Sequence, residues 1–339
     1  MKYHYVVFGA GRQGSAAVHD LLLHCEAASV LVVEPDDARR RAAQARIRKL
    51  LPRTRASLVW SAQAVVADLE RKHVVLSCAP YSANVELTRL ALEAGVAFTD
   101  LGGNPKTVAA QEKLAGKKRV PGVPDCGISP GISNIFAMHC ARAHGCTRIE
   151  VRCGGLPLVE PERGSNPLGY KLVFSPSGLI SEYSGAVPVI RDGKLRKIEA
   201  LSRIEEFDAD HEASPTSNNS PQVVRQLADA GVTQYDYMTL RYKGHWQLVR
   251  GWKSSGFLKG DAQRDQQLAE LLGNDRSLRY DPRTRFTAME LTTCWGITIV
   301  AHHIASGRGR PKGFATPERF VDSGWVISQV ERRLAALGE

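Results

Sequence analysis

The sequence lacks the long apolar runs and targeting signals that mark membrane and secreted proteins. No apolar run among its 339 residues approaches the ~20 residues that a membrane-spanning helix needs, and the start Met1-Lys2-Tyr3-His4 has no signal-peptide pattern. It also has no internal repeat and no low-complexity tail. A strand pattern begins by residue 3, so we expect nothing to precede the first domain. We expect a soluble protein of the cytoplasm.

Cysteine occurs, but not in the patterns of a disulfide framework or a zinc finger. The seven cysteines are an odd number and lie mostly in apolar surroundings, which suits a reducing compartment. No Cys-x-x-Cys pair occurs, and the group Cys140, His144, Cys146 and Cys153 lacks finger spacing. We therefore expect packed thiols and no metal site.

The charge balance is basic, with 45 Lys and Arg against 35 Asp and Glu and a net charge of +10. Such a charge attracts either nucleic acid or anionic small molecules. The basic residues concentrate in two stretches, 39–55 and the Gly307-Arg-Gly-Arg-Pro-Lys loop. The first stretch has the pattern of a solvated helix face, and aromatic residues do not interleave with it. We therefore expect no specific nucleic-acid partner.

The order of apolar and helical patterns predicts an α/β protein of about two domains. Up to residue 125, buried strands alternate with helices, which indicates a doubly wound parallel sheet. Beyond it, strand-like runs at 148–153, 170–174 and 187–190, with a hairpin signal at Arg191-Asp-Gly-Lys, predict an antiparallel sheet. The polar stretch 211–220 is predicted to be a loop. Helical patterns recur at 222–230, 244–258, 263–273 and from 286 towards the end.

A glycine-rich motif directly after the first strand predicts a dinucleotide site. The residues Gly9-Ala10-Gly11-Arg12-Gln13-Gly14 match G-x-G-x-x-G and open a helix. In this motif the first glycine permits the tight turn, the second lets the backbone approach a pyrophosphate, and the third lets helix and strand pack. The helix N-terminus then offers free N–H groups to the phosphates.

The choice of cofactor depends on the end of the second strand, where Glu34 lies. A carboxylate at this position accepts hydrogen bonds from the ribose 2′-hydroxyl and repels a 2′-phosphate. The sequence therefore predicts NAD rather than NADP, although the nearby Arg39 and Arg40 are residues that would favour NADP.

The fourth strand ends in Ser77-Cys78-Ala79-Pro80, at the sheet edge where ligands collect. Small residues there let the nicotinamide ribose lie close to the backbone. For Cys78 we favour simple packing over a role for the thiol. Asn84, one helical turn further on, is a candidate for capping or for a ribose contact.

Five separated motifs follow in order through most of the chain. They are Asp100-Leu-Gly-Gly-Asn104, Pro124-Asp-Cys-Gly-Ile-Ser-Pro-Gly131-Ile-Ser-Asn, Gly154-Gly-Leu-Pro157, Tyr170 to Tyr183, and Thr239-Leu-Arg-Tyr-Lys-Gly-His245. Together they resemble the saccharopine dehydrogenase superfamily, and within it the L-lysine 6-dehydrogenase branch. Lys243 stands where that pattern has proline, and Gly169 where it has asparagine, which leaves the identity of the amine open.

The resemblance implies three segments and a reaction class. The segments are a Rossmann NAD-binding domain over 1–126, a substrate-binding α+β domain with a mixed or antiparallel sheet over 127–285, and a C-terminal helical segment over 286–339 that returns to the first domain. The reaction is NAD(P)-linked oxidation at a carbon bearing nitrogen on an amino acid. We expect NAD as cofactor, L-lysine as the favoured substrate, no membrane partner, and a homodimer or higher homo-oligomer.

Oxidising an amine requires an uncharged nitrogen lone pair, so the site must take a proton from an ε-amine whose solution pKa is about 10.4. The candidate catalytic groups are Asp125, Tyr170, Lys171 and His245, and the candidate groups for the substrate carboxylate are Arg241 and Tyr242. Each has a structural alternative: a helix cap for Asp125, a packed histidine for His245, a surface strand arginine and a packed ring for the last two. Tyr170 and Lys171 would alternate on a strand, so we expect only Tyr170 in the cleft. We expect Glu182 and Tyr183 to be structural.

These observations predict NAD-dependent oxidative deamination of the ε-amine of L-lysine. The 6-semialdehyde formed would cyclise to 1-piperideine-6-carboxylate, with release of ammonia. One alternative is a saccharopine- or carboxynorspermidine-type enzyme that joins an amine and an aldehyde. Another is a cofactor-binding regulator without turnover, against which the polar set in the second half of the chain argues.

Overall fold

A computed structural model describes residues 2–51, 53–103, 105–116, 119–219, 221–279, 286–309 and 311–337. The chain divides into two compact units, the first formed by Met1–His139 with Arg283–Glu339 and the second by Cys140–Pro282. The motif residue Asn104 and residue 285, at the predicted domain boundary, lie outside the described residues.

Strands and helices alternate through most of the first unit, whereas in the second unit four strands follow one another along the chain. The strands are β1 Tyr3–Phe8, β2 Ala27–Val33, β3 Ser57–Ser61, β4 Val74–Ser77, β5 Ala97–Asp100, β6 Gly122–Val123, β7 Arg148–Cys153, β8 Ala186–Arg191, β9 Lys194–Glu199, β10 Glu205–Glu206, β11 His211–Pro215 and β12 Gln234–Tyr242. The helices are α1 Arg12–His24, α2 Asp37–Leu50, α3 Val66–Leu69, α4 Asn84–Glu93, α5 Pro105–Ala115, α6 Ile132–His144, α7 Pro176–Tyr183, α8 Pro221–Asp229, α9 His245–Ser254, α10 Ala262–Asn274, α11 Ala288–Ala305 and α12 Ser323–Ala335.

The first unit is built on a six-stranded sheet in the order β3-β2-β1-β4-β5-β6, in which every neighbouring pair is parallel. The central strands carry continuous buried apolar runs, Tyr5 to Phe8 in β1 and Val74 to Leu76 in β4, as expected when helices cover a parallel sheet on both sides. Because the strands run in one direction, their carboxyl ends share one edge of the sheet. The turns after β1, β2, β4 and β5 therefore meet at that edge. The predicted doubly wound parallel sheet is confirmed.

The last two long helices belong to this first unit. Helix α11 packs against α1, and Thr298 of α11 donates a hydrogen bond of 2.5 Å to Asp20 of α1. Arg333 of α12 pairs with the same carboxylate through Nε at 2.8 Å and Nη2 at 2.9 Å. All three polar side chains are buried, so the ion pair is shielded from water and ties the C-terminal helices to α1.

The second unit contains a sheet in the order β10-β11-β12-β8-β9, whose pairs are antiparallel, while β7 pairs with β12 in parallel. The predicted mixed or antiparallel sheet is thus confirmed. The hairpin signal is confirmed as well, because Asp192 and Gly193 between β8 and β9 both have positive φ, of 51° and 71°.

Two local predictions in this unit were wrong. Residues 170–174 form no strand, because Asn166 and a distant loop bind their backbone: the Tyr170 carbonyl accepts from Asn166 Nδ2 at 2.7 Å, and Leu172 N–H donates to the Leu278 carbonyl at 2.8 Å. The stretch predicted as a loop begins with strand β11. Its polar side chains are buried with partners, since Glu212 Oε1 accepts the backbone N–H groups of Gly244 and Trp246.

Candidate functional sites

The glycine-rich turn between β1 and α1 uses its three glycines in different ways. A Cβ on Gly14 would lie 1.8 Å from the Gly9 carbonyl oxygen, and a Cβ on Gly9, whose φ is +88°, would lie 2.8 Å from the Cys78 carbonyl. Packing within the protein therefore requires glycine at both positions. Gly11 has an ordinary φ of −65°, and a Cβ on it would meet nothing within 4 Å. The space above Gly11 is open, which is what the approach of a pyrophosphate requires.

The start of α1 completes this cradle. Gly11 caps the helix without a side-chain hydrogen bond, so no side chain of the cap covers the first-turn N–H groups. Arg12 and Gln13 follow, half-buried, and Gln13 Oε1 has no hydrogen-bond partner among the described residues. An open helix N-terminus with its positive dipole end is an anion site of the kind that holds dinucleotide phosphates. The residues present fit a dinucleotide cofactor.

Glu34 follows β2 and is buried, 4% exposed. Its Oε2 accepts the Ala10 N–H at 2.9 Å and its Oε1 accepts the Asp36 N–H at 3.1 Å, so both oxygens are fixed beside the glycine-rich turn. The exposed Arg39 lies next to it, with Nη1 3.9 Å from Oε1. A carboxylate held in this way can accept a ribose hydroxyl, and the neighbouring arginine is a group that a 2′-phosphate would also attract.

The loop after β4 packs against the glycine-rich turn through backbone atoms of Cys78 and Ala79, which is followed by Pro80. Ser77 Oγ donates to Asn84 Oδ1 at 2.7 Å, and Asn84 is buried, so this pair fixes the loop to the start of α4. Burial and, secondarily, the charge of Asp100 raise the pKa of the Cys78 thiol to about 12. The thiol therefore stays protonated near neutral pH, as the packing interpretation requires.

Asp125 lies just after β6, at the same carboxyl edge of the sheet. Its backbone has the left-handed φ of 61°, its side chain is 5% exposed, and its Oδ1 has no hydrogen-bond partner in the described part of the chain. Burial, followed by the charges of Asp100 and Glu318, raises the pKa of this carboxyl from 3.8 to about 8. Asp125 is thus a carboxyl that gains and loses its proton near neutral pH, and its buried Oδ1 has no partner within the described residues.

Asp100, at the end of β5, positions Asp125. Its Oδ1 accepts the N–H groups of Gly102 at 2.8 Å and Asp125 at 3.1 Å, and its Oδ2 accepts Gln111 Nε2 at 2.6 Å. With three donors on its two oxygens, Asp100 serves as a structural acceptor. Sequence reasoning placed Asp100 in a motif but assigned it no role, and it missed Glu318 completely, because no local pattern surrounds that residue.

In the second unit, Arg241 is buried at 2% exposure in a polar cluster. Its Nε donates to Tyr183 Oη at 3.1 Å, its Nη1 donates to the Leu240 carbonyl at 2.9 Å, and its Nη2 lies 3.8 Å from Glu182 Oε1. The guanidinium also lies over the Tyr170 ring, 4.6 Å from its centroid. The charge is therefore compensated inside the unit, and Arg241 is not the surface arginine that was the alternative interpretation.

His245 is the first residue of α9, as predicted, and is fully buried. Its Nδ1 lies 2.9 Å from the Leu168 carbonyl, which can only accept, so Nδ1 carries the proton. Its Nε2, 2.9 Å from Tyr183 Oη, then accepts the tyrosine proton. Burial and the Arg241 charge hold the pKa of His245 well below its usual value, so the ring is neutral near pH 7. Tyr183 thus links Arg241 to His245.

The other predicted residues of this unit are not all brought together. Tyr170 is buried beside Arg241, with an Oη that has no partner among the described residues and a pKa that burial raises to about 12. Lys171 points elsewhere, and its Nζ donates to the Ser277 carbonyl at 2.6 Å. Tyr242 follows Arg241 on β12, so its side chain points to the other face, where its ring contacts the His211 ring at a tilt and its hydroxyl donates to the Pro157 carbonyl. Arg241 and Tyr242 therefore cannot hold one carboxylate together from this strand.

Comparison with known proteins finds two family models that follow one another along the chain. The family model of the saccharopine dehydrogenase NADP binding domain matches residues 5–123, and that of the saccharopine dehydrogenase C-terminal domain matches residues 127–275. The chain belongs to the saccharopine dehydrogenase family. Its first unit is accordingly a nicotinamide-dinucleotide-binding domain, and the resemblance seen in the five motifs is confirmed at the level of the superfamily.

Curated relatives of this family are distant and longer. Saccharopine dehydrogenase [NADP(+), L-glutamate-forming] of Pyricularia oryzae is 24% identical over 59% of this chain and 46% of its own length. The corresponding enzyme of Schizosaccharomyces pombe is 29% identical over 56% of this chain and 44% of its own, and mouse mitochondrial alpha-aminoadipic semialdehyde synthase is 22% identical over 57% and 22%. The matches thus span less than half the length of these relatives.

Among solved structures, apo saccharopine dehydrogenase (L-Glu forming) from Saccharomyces cerevisiae matches with a TM-score of 0.70, covering 98% of this chain and 97% of that one at 15% sequence identity. At that identity the match establishes the fold. Within the described residues, no helix is both long and apolar enough to cross a bilayer, and no group of three or more His, Cys, Asp and Glu side chains is arranged to hold a metal ion.

Proposed function

We propose that this protein is a nicotinamide-dependent dehydrogenase that oxidises a substrate carbon bearing nitrogen, with the ε-amine of L-lysine as the favoured substrate. The products would be the 6-semialdehyde, which cyclises to 1-piperideine-6-carboxylate, and ammonia. The observation that carries the proposal is the buried carboxyl of Asp125, at the sheet edge that also carries the glycine-rich turn. The fold and the family of the protein support the same reaction class.

Asp125 supplies the proton acceptor that amine oxidation needs. An ε-ammonium has a pKa of about 10.4, so its transfer to a carboxylate of pKa 3.8 would cost roughly 9 kcal/mol. With the carboxyl pKa raised to about 8, the same transfer costs roughly 3 kcal/mol. The environment that raises the pKa of Asp125 therefore makes it a competent base for this substrate.

The bond changes balance with a single two-electron acceptor. When bound, the nicotinamide cofactor would accept the hydride that leaves the substrate carbon. Asp125 takes the amine proton, so the substrate becomes an imine, and the carboxyl can then orient the water that adds to the C=N bond. Nitrogen leaves as ammonia after that addition. The free Oδ1 of Asp125 is the oxygen suited to both contacts.

We propose NAD as the cofactor because of the position of Glu34. Its two oxygens are held at the glycine-rich turn, where a 2′-phosphate would meet a buried negative charge. The names of the matching family model and curated relatives refer to NADP, and Arg39 beside Glu34 is a group that a 2′-phosphate would attract. Direct titration with both cofactors decides between them.

A saccharopine-type enzyme that joins an amine and an aldehyde is the second candidate, favoured by the names of the curated relatives. A panel assay separates the two. The protein is incubated with NAD or NADP and L-lysine, saccharopine or a simple diamine, and reduced cofactor is measured by absorbance. We expect turnover with lysine and NAD. Reduced cofactor from saccharopine alone would replace the lysine proposal with the saccharopine-type reaction.

A further inference from the structure

Arginines from the end of the first basic stretch and from the second basic stretch line one cavity of the first unit. Arg53 and Arg55 lie between α2 and β3, Arg308 follows α11, and Arg332 lies near the end of α12. All four arginines line a cavity of about 560 Å³, a volume within the range of small-molecule sites. Neither the glycine-rich turn nor Asp125 contributes to its lining.

The cavity lies at the opposite edge of the parallel sheet from the cofactor turn. It is lined by His24 at the end of α1 and by Ala27 at the start of β2. The glycine-rich turn, by contrast, lies at the start of α1 and the end of β1. Because α1 is 13 residues long at about 1.5 Å per residue, the two regions are separated by roughly 20 Å. A ligand in this cavity is not the dinucleotide held by the cofactor turn.

The positive charge of the cavity has little compensation. Within the described part of the chain, none of its four arginines lies within 4 Å of a carboxylate. The lining includes one acidic residue, Glu26, which is paired with Lys2 at 3.4 Å. Uncompensated guanidinium groups around a concave site attract anions, and their forked geometry matches phosphate oxygens.

An aromatic wall adds a second recognition element. Trp325 of α12 lines the cavity, and the Arg308 guanidinium lies over its ring at 5.1 Å from the centroid. The His302 ring lies beside the same indole, with centroids 5.9 Å apart. These contacts hold the Arg308 guanidinium in place against the indole, so its positive charge faces the cavity from a fixed position.

From this arrangement we propose a second anion site in the first unit, which takes a small molecule bearing several phosphate charges. The proposed site assigns a role to Arg53, Arg55, Arg308 and Arg332, which the dehydrogenase reaction does not use. The site is separate from the cofactor turn, so its ligand and the cofactor bind at the same time.

Calorimetric titration of the full chain with inorganic tripolyphosphate at low salt tests this site. We expect saturable binding at one site, weakened at least about tenfold in the double variant Arg308→Gln/Arg332→Gln. The matched control, Arg89→Gln/Arg119→Gln, removes the same charge from exposed positions outside the cavity and should leave the affinity within about twofold. Both changes are at exposed side chains, so both variants should fold.

The Gly11→Val variant separates this site from the cofactor turn. It should bind tripolyphosphate as the wild type does, and saturating NAD should not displace the anion. Absence of saturable binding would overturn the proposal. So would equal weakening in the two double variants, which would assign the binding to net charge, or loss of binding in Gly11→Val alone, which would assign it to the cofactor turn.

Discussion

Replacing Asp125 with asparagine should make the protein more stable at alkaline pH while it removes the proposed base. The backbone at this position has a φ of 61°, a left-handed conformation that asparagine tolerates better than most residues. Asparagine also matches the size of a protonated aspartate. The variant therefore tests the ionisation of this side chain with little change in packing.

The magnitude follows from the raised pKa. The folded protein holds the Asp125 proton up to about pH 8, whereas the unfolded chain releases it near pH 4. A group whose pKa is raised on folding contributes stability in full below the unfolded value, and that contribution is lost as the pH rises through the folded value. A shift of about four pKa units corresponds to roughly 5 kcal/mol, lost between pH 4 and pH 8.

Chemical denaturation of wild type and Asp125→Asn between pH 5 and about pH 9 measures this loss. We expect the two curves to approach one another at pH 5 and to separate by several kcal/mol at pH 9, with the variant more stable. Asp100→Asn is the contrast, because its amide would oppose the N–H donors that Asp100 accepts, which should cost about 1–3 kcal/mol. It also removes a charge that helps to raise the Asp125 pKa, so the pH-dependent loss should end at a lower pH than in the wild type. Parallel loss of stability in wild type and Asp125→Asn would refute the reasoning.

Four further variants test the cofactor turn and the buried cluster. Gly11→Val should leave the thermal midpoint unchanged and weaken NAD binding at least about tenfold. Gly14→Ala should unfold the first unit, because its Cβ would lie 1.8 Å from a carbonyl oxygen. Equal thermal midpoints for the two variants would contradict the different roles given to the two glycines. Glu34→Ala should shift preference from NAD towards NADP in equilibrium titrations, because it removes the carboxylate beside Arg39, and an unchanged preference would remove Glu34 from the cofactor site. Tyr183→Phe should cost about 1–3 kcal/mol in denaturation experiments, since it deletes the link between Arg241 and a histidine; unchanged stability would count against that link.

The parts of the site that the sequence revealed are the local ones. The glycine-rich turn, its preceding strand and the helix it opens lie within one short segment, and Glu34 follows at the distance that one helix and one strand require. Asp125 was identified because it stands in a recognisable motif directly after the last Rossmann strand. In each case neighbours in sequence are also neighbours in space.

The parts that the sequence did not reveal depend on distant partners. Glu318 helps to raise the pKa of Asp125, yet it reaches that carboxyl only because the C-terminal segment belongs to the first unit. Arg241 was expected to face a substrate, but the folded unit buries it against Glu182 and Tyr183 of α7, a helix that the apolar pattern did not predict. Removing one partner of such a buried pair typically costs about 3–5 kcal/mol, so variants of Arg241 report on stability before they report on substrate binding.

Strand β11 is another feature that depends on partners distant in the sequence. Its sequence His211-Glu-Ala-Ser-Pro is polar and ends in proline, which is typical of a loop. The strand exists because it pairs antiparallel with β12 and because its polar side chains have partners: Glu212 caps α9 and Ser214 binds the Arg203 carbonyl. Tertiary contacts of this kind outweigh local preference, and a single sequence does not display them.

The most direct test of the proposed reaction follows the nitrogen. L-Lysine labelled with nitrogen-15 at the ε position is incubated with the protein and NAD, and the label is traced by mass spectrometry while reduced cofactor is measured by absorbance. We expect the label in ammonia, in step with NADH and with a cyclic imine product. The rate should increase towards alkaline pH, as both the amine and Asp125 lose their protons. Label retained in the product while the α-nitrogen is lost, or no NADH from lysine at all, would contradict the account.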